Sequence, residues 1–149
     1  MMNILKSASL YFLLIVLIFA CKSGEKANGN KSAKMTSLKN TKWELYAFED
    51  GKPITYPDEK KATLEFDESG VKISGFAGCN RFFGSATVEG EAISFGPLGA
   101  TKMMCAEPAM GIEDKFLSLV DKTSSFEVKE NQLLLKSTEG VILTYNKVD

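Results

Sequence analysis

The chain has 149 residues, enough for one domain or two small ones. Its 18 Lys and Arg against 19 Asp and Glu give a formal charge of −1, which argues against a nucleic-acid-binding protein, because such proteins present a basic face. A hydrophobic content of 44% is too high for a disordered chain, and the lack of His removes the commonest general base and zinc ligand. We therefore expect a nearly neutral globular domain without metal or cofactor.

The first 20 residues are typical of a signal peptide. One Lys precedes ten apolar residues at 10–19, a run shorter than the roughly 20 residues that a membrane-spanning helix needs. The sequence at 18–21, Ile-Phe-Ala-Cys, resembles a bacterial lipobox, and the resemblance implies that Cys21 is the lipidated first residue of the mature protein. The alternative is an uncleaved anchor helix. We predict a lipid-anchored protein of the bacterial envelope, in the outer membrane if the cell has two membranes.

Residues 21–35 are predicted to form the lipidated cysteine and a flexible tether. Positions 22–35 are rich in Gly, Ser, Asn and Lys and contain almost no apolar side chains. The four lysines of this stretch either meet anionic lipid head groups or only keep the tether soluble. The folded domain is expected to occupy residues 36–149.

Most of this domain alternates apolar and polar residues with the period of a strand. Turns that contain Gly or Asn separate the alternating runs. The runs fall near residues 42–47, 62–66, 71–73, 85–88, 92–95, 126–128, 132–135 and 141–145. This pattern predicts an α+β, mainly β, fold: a curved antiparallel sheet or a partly open barrel of about eight strands with one helix packed on it.

Residues 109–122 break the two-residue period and predict the helix. Their large apolar residues fall on one helical face: Ile112, Phe116, Leu119 and Val120. Pro108 suits the first turn, Glu113 and Asp114 lie early in the helix, where negative charge is favoured, and Lys122 is expected in the last turn. We expect the apolar face to cover one end or one face of the sheet.

Cys79 and Cys105 remain once Cys21 is lipidated, and a pair in an exported domain favours a disulfide. Two buried free thiols are the alternative. Two cysteines without His supply too few ligands for zinc, and no base activates a catalytic thiol. The bridge would join two stretches that read as loops, residues 75–84 and 96–106.

The stretch 75–84, GFAGCNRFFG, carries the densest local signal. Its three glycines indicate positive φ angles or another chain passing close by. Asn80 is typical of a tight turn. Arg81, the only arginine, is expected to pair either with a carboxylate such as Glu107 or Glu113 or with a ligand.

Several pieces of the sequence, in this order, resemble the META domain of HslJ-like heat-shock and envelope lipoproteins. They are Trp43 in the first strand, the Gly-Cys-Asn-Arg motif at 78–81 with Gly84, Thr-Lys-Met-Met-Cys at 101–105, the helix, and the hairpin around 133–135. Ala86 departs from the aromatic residue common in the family. The resemblance implies a compact antiparallel β structure with one helix, in the cell envelope, and no established enzymatic activity.

The function favoured by these observations is a non-catalytic envelope lipoprotein with a binding or stress-related role. Its partners would be the membrane, through the lipid anchor, and an envelope protein; the sequence does not predict an oligomeric state. The candidate binding residues are Asn80, Arg81, Thr101 and Lys102.

The first alternative is a carrier of a small apolar or lipid ligand in a cavity between sheet and helix. Its lining would be Phe76, Phe82, Phe83, Phe95 and Met103, which are otherwise core residues. The second alternative is an enzyme. Its candidate carboxylates are Glu65, Asp67, Glu107, Glu113 and Asp114, but no catalytic motif accompanies them.

Overall fold

The computed structural model describes residues 37–148. The predicted signal peptide, Cys21 and the predicted tether therefore lie outside the described residues. The strands in chain order are β1 (Thr41–Phe48), β2 (Thr63–Phe66), β3 (Lys72–Phe76), β4 (Arg81–Glu89), β5 (Ala92–Phe95), β6 (Gly99–Ala100), β7 (Ser125–Lys129), β8 (Gln132–Ser137) and β9 (Gly140–Val148). Helix α1 (Ala109–Val120) connects β6 to β7.

These strands form one antiparallel sheet that closes into an uneven ring. The order is β3-β2-β1-β9-β8-β7-β5-β4-β6, and an additional β3–β4 pairing joins the two sides. The ring is thinnest between β5 and β7, which meet through the single pair Ala92–Ser125. The predicted mainly β fold with about eight strands and one helix is confirmed.

The core lies inside this ring because each strand turns its alternate apolar residues inward. In β1, Trp43, Leu45 and Ala47 are buried, as the alternating sequence predicts. The largest side chains with almost no access to solvent come from strands all around the ring and from the helix: Trp43, Phe82, Phe116, Phe126 and Tyr145.

The segment predicted as a loop at 75–84 is mostly a β-hairpin, so that prediction is wrong. Gly75 pairs with Phe82 across β3 and β4, and only residues 77–80 form the turn. The strand requires glycine at position 75, because a Cβ there would come 2.0 Å from the carbonyl oxygen of Thr63. The predicted close approach of another chain segment is confirmed there.

A bulge on the other edge of β4 sets the register of the site described below. Residues 84–85 of β4 face three residues, 96–98, between the pairs Phe83–Gly99 and Ala86–Phe95. The chain then continues along the same edge, and the N–H of Thr101 donates to the carbonyl of Arg81 over 3.0 Å.

Helix α1 packs its predicted apolar face onto the core, where the rings of Phe82 and Phe116 lie 5.1 Å apart. Pro108 precedes the first helical residue, and the Glu107–Pro108 peptide bond is cis. Glu113 and Asp114 lie in the second turn. Lys122 follows the end of the helix, so its predicted place in the last turn is wrong.

The predicted lining of a ligand cavity is not brought together. Phe82 is buried in the core, whereas its neighbour Phe83 and Met103 are exposed. Consecutive strand residues point to opposite faces, so Phe82 and Phe83 cannot line one cavity.

Candidate binding site at the β3–β4 turn

The β3–β4 turn lies against the first half of helix α1. The N–H of Ala77 donates to the carbonyl of Asn80 over 2.8 Å and closes the turn. Gly78 has a φ of +130°, and a Cβ there would come 2.9 Å from the carbonyl oxygen of Ala109 and 3.0 Å from Cγ2 of Ile112. The turn therefore requires glycine for both its conformation and its contact with the helix.

The carboxylate of Glu113 reaches from the helix into this turn. Its Oε2 accepts hydrogen bonds from the N–H groups of Cys79 (3.2 Å) and Asn80 (2.5 Å). Its Oε1 accepts a bond of 2.9 Å from the side-chain amide of Asn80. Glu113 is only 6% exposed, and these three bonds replace the water that its charge would otherwise attract.

The side-chain amide of Asn80 joins the turn to the segment 101–105. Its Nδ2 donates to Glu113 and to the carbonyl of Met103 (3.1 Å). Its Oδ1 accepts from the hydroxyl of Thr101 (2.9 Å) and from the N–H of Met103 (2.7 Å). All four hydrogen-bonding positions of the amide are occupied.

Three consecutive residues at the end of the turn and the start of β4, 79–81, are thus bonded to alternate residues of the facing segment. Arg81 forms backbone bonds with Thr101, and Asn80 binds the backbone of Met103 through its side chain. Cys79 and Cys105 form a disulfide, with their Cα atoms 5.9 Å apart. This array, here called the turn ladder, continues the edge of β6 with side-chain bonds where regular strand pairing ends.

Arg81 and Lys102 lie on the outer side of the turn ladder, and both are exposed. Neither forms an ion pair with another residue in the range 37–148. The expected partners of Arg81 are occupied elsewhere, because Glu113 binds the turn and Glu107 accepts a bond of 3.1 Å from the N–H of Gly111. The expected pairing of Arg81 with either carboxylate is therefore wrong.

Of the four predicted binding residues, the structure brings all together but exposes only three. Arg81, Thr101 and Lys102 are exposed, whereas Asn80 is 2% exposed and its amide is fully bonded. The prediction that Asn80 contributes to a binding surface is wrong, and its expected role in the turn is the one the geometry gives it.

The sequence did not predict the role of Glu113, which was expected to act as a favourable charge early in the helix, as a partner of Arg81 or as a possible catalytic residue. A signal was present: Glu113 is four residues after Ala109 and three before Phe116, on the buried face of the helix. An acidic residue at such a position requires donors, and the nearby glycine-rich turn supplies them.

The other candidate carboxylates are dispersed or engaged in local structure. Glu65 pairs with Lys42 over 3.0 Å, and Asp114 is exposed on the helix. Asp67 accepts bonds from the hydroxyl and N–H of Ser69, and the hydroxyl bond contributes most to a pKa below the usual range. Within residues 37–148, no three His, Cys, Asp or Glu side chains cluster as a metal site.

An open groove of about 550 Å³ crosses the outer faces of β2, β3 and β4. Glu65, Ser74 and Phe83 are register partners on these strands and line it side by side. Asn40, which immediately precedes β1, lines the same groove. The start of the folded domain is therefore on the same side as Phe83.

Helices within the described part of the chain are all too short or too polar to span a membrane.

Comparison with known proteins gives a consistent result. The META domain family model matches residues 36–149. The chain is 28% identical to "Heat shock protein HslJ" of Escherichia coli K12 over 146 residues, which cover 97% of this chain and 98% of that protein. A protein of Burkholderia xenovorans solved by NMR is 30% identical, with a TM-score of 0.65, covering 87% of this chain and 97% of that one. A DUF4847-family crystal structure from Bacteroides vulgatus, 14% identical with a TM-score of 0.54, covers 75% and 96% and shares the fold.

Proposed function

Because the chain belongs to the META domain family, we propose that it is a lipid-anchored protein of the bacterial cell envelope with a heat-shock-related role, which acts by binding and not by catalysis. The name of the Escherichia coli relative supports the link to heat shock. The lipobox-like sequence at 18–21 supports the anchor, with Cys21 as the lipidated residue. The absence of Asp at position 22 supports delivery to the outer membrane where there are two membranes.

The observation that carries the binding role is the turn ladder. It holds the backbone that carries Arg81 and Lys102 by the disulfide and by the bonds between Arg81 and Thr101. The residues on either side of Lys102, Thr101 and Met103, are also bonded to the buried Asn80. Because the backbone that carries these two cations is already ordered, binding of a ligand would lose little conformational entropy there. The buried carboxylate of Glu113 is bonded to the turn and is proposed to be structural.

The binding role is tested in the native host. A strain without this protein is expected to survive heat less well, and wild-type protein should restore survival. The double variant Arg81→Gln/Lys102→Gln should fail to do so at equal abundance, whereas Lys122→Gln/Lys147→Gln, which removes two exposed lysines elsewhere, should succeed. Full rescue by the Arg81/Lys102 variant would contradict the assignment of function to this surface.

The anchor is tested separately by mass spectrometry of the protein purified from membranes. We expect an N-terminal peptide that begins at Cys21 and carries acyl chains, and we expect Cys21→Ala to block its maturation. A mature protein that lacks acyl groups would contradict the anchor without affecting the binding role.

A further inference from the structure

The most exposed large apolar side chains of the described domain lie beside the two cations of the turn ladder. Phe83, Met103 and Met104 are 63%, 56% and 99% exposed, more than any other large apolar residue between 37 and 148. Phe83 and Arg81 are two residues apart on β4 and thus share its outer face. We call the surface formed by Arg81, Phe83 and residues 102–104 the β4–β6 surface.

We propose that the β4–β6 surface lies against a lipid bilayer that contains anionic phospholipids. Protruding apolar side chains between cationic ones are the combination that binds the membrane interface: the apolar groups enter the acyl boundary and the cations meet phosphate. Met104 is almost entirely in solvent, and the stems of Arg81 and Lys102 are long enough to leave their charges at head-group level.

Charge complementarity supports an anionic surface as the partner. Arg81 and Lys102 form no ion pair within residues 37–148, so their charges are available to an external anion. The nearby acid Glu107 directs its carboxylate to the N–H of Gly111. The surface therefore presents two cations that no ion pair between residues 37 and 148 neutralises, although the whole chain has a net charge of −1.

The backbone of this surface is held in place, which favours binding through contacts that are individually weak. The turn ladder holds residues 101–105, and the ring of Phe83 lies over Gly99, where a Cβ would come 2.6 Å from its Cζ. The apolar groups are thus presented without prior ordering of the chain.

The position of the chain entry also favours a bilayer. Asn40 and Phe83 line the same groove, so the chain enters the domain on the side of the β4–β6 surface. The 14 residues 22–35 can span at most about 50 Å. This part of the argument rests on the proposed anchor at Cys21, which would keep the surface within reach of the membrane.

The test uses the mature chain, residues 21–149, with Cys21→Ser so that no acyl chain is present and the disulfide is oxidised. Sedimentation with vesicles of phosphatidylcholine and phosphatidylglycerol (7:3) is compared with sedimentation with pure phosphatidylcholine. We expect binding to the anionic vesicles, and we expect it to weaken as salt is added. Binding to the neutral vesicles should be weaker by roughly tenfold or more.

Two matched variants distinguish this surface from general attraction. Arg81→Gln/Lys102→Gln/Met104→Ser should lower the partition coefficient for anionic vesicles by roughly tenfold or more. Lys122→Gln/Lys147→Gln/Val141→Ser loses the same charge and one exposed apolar residue elsewhere and should bind like wild type. Urea unfolding of each variant checks that the fold is retained.

The proposal is overturned if the lipid-free wild type does not bind anionic vesicles, if it binds neutral ones equally well, or if both triple variants lose binding equally. Absence of vesicle binding together with Arg81-dependent capture of an envelope protein would assign the surface to a protein partner instead. Because acylation does not enter this experiment, a failure of the anchor and a failure of the β4–β6 surface give different results.

Discussion

The side-chain amide of Asn80 and the carboxylate of Glu113 are joined by a 2.9 Å hydrogen bond across 33 positions of sequence. This bond connects the β3–β4 hairpin to helix α1, and the remaining bonds of Asn80 connect both to the segment 101–105. One amide thus connects the hairpin, the helix and the segment that follows β6.

Glu113→Gln is expected to lower the free energy of unfolding by about 3 kcal/mol, because its amide nitrogen would face an N–H donor of the turn. Rotating the new amide only moves the conflict, since both Glu113 oxygens accept bonds. Urea unfolding measures the change. Asp114→Asn, at the exposed neighbouring position, should change stability little; an equal loss in both variants would contradict the role given to the buried carboxylate.

Gly78→Ala is expected to destabilise the domain by about 3 kcal/mol or more, because it combines an unfavourable φ of +130° with a Cβ 2.9 Å from the Ala109 carbonyl. Gly90→Ala is the matched control, since Gly90 also has positive φ but no atom within 4 Å of the added Cβ. It should cost only about 1 kcal/mol. Thermal unfolding of the two variants should show the larger loss of stability for Gly78→Ala. Equal losses would contradict a contribution of the contact with the helix.

Removal of the disulfide is expected to lower stability by about 3.5 kcal/mol, from the entropy of the released 26-residue loop. The measurement is urea unfolding of Cys79→Ala/Cys105→Ala beside wild type. A reductant should destabilise wild type to a similar extent and leave the double variant unchanged. A wild-type mass that does not rise by two hydrogen atoms on reduction would contradict the bridge.

Tyr145→Phe is expected to stabilise the domain by about 1 kcal/mol, because its hydroxyl is fully buried and has no hydrogen-bonding partner in the described part of the chain. Tyr56→Phe should destabilise the domain by about 1 kcal/mol, since the hydroxyl of Tyr56 donates to the carbonyl of Leu45 over 2.8 Å. Chemical unfolding at neutral pH measures both. Destabilisation by Tyr145→Phe would show that its hydroxyl is satisfied in solution.

Ser69→Ala is expected to raise the pKa of Asp67 toward its ordinary value of 3.8, because the bond from the Ser69 hydroxyl is the largest cause of its lowered pKa. A carboxyl group whose pKa is lower in the folded state stabilises the fold fully above its unfolded pKa of about 4, and this contribution is lost as pH falls through the folded pKa. Carboxyl NMR titration measures the shift. Ser118→Ala, on the helix, should leave the Asp67 titration unchanged.

Much of the fold follows from the sequence because local periodicity reports burial. The alternation in β1 and the apolar spacing of Ile112, Phe116 and Leu119 identify which side chains face the core. The start of β4 at Arg81 was not predicted, since glycine-rich sequence is typical of loops and the close approach that explains Gly75 involves Thr63 on another strand.

The site was predictable only in part. The sequence identified Arg81, Thr101 and Lys102 as neighbours, and the turn ladder places them so. It did not separate the buried Asn80 from the exposed Arg81, because the inward direction of Asn80 depends on its bonds to the distant Met103 and Glu113. The bonds between Asn80, Met103 and Glu113 join positions that are distant in the chain, and such bonds produce no periodic pattern in the sequence.

The pairing of β1 with β9 also determines when the domain is able to fold. The register joins Lys42 to Val148 and Trp43 to Lys147, so the ring cannot close before β9 is present. A growing chain lacks this partner until residues 140–148 have been synthesised, and contacts between such distant positions form slowly. Closure of the ring is therefore expected to be a late step in folding.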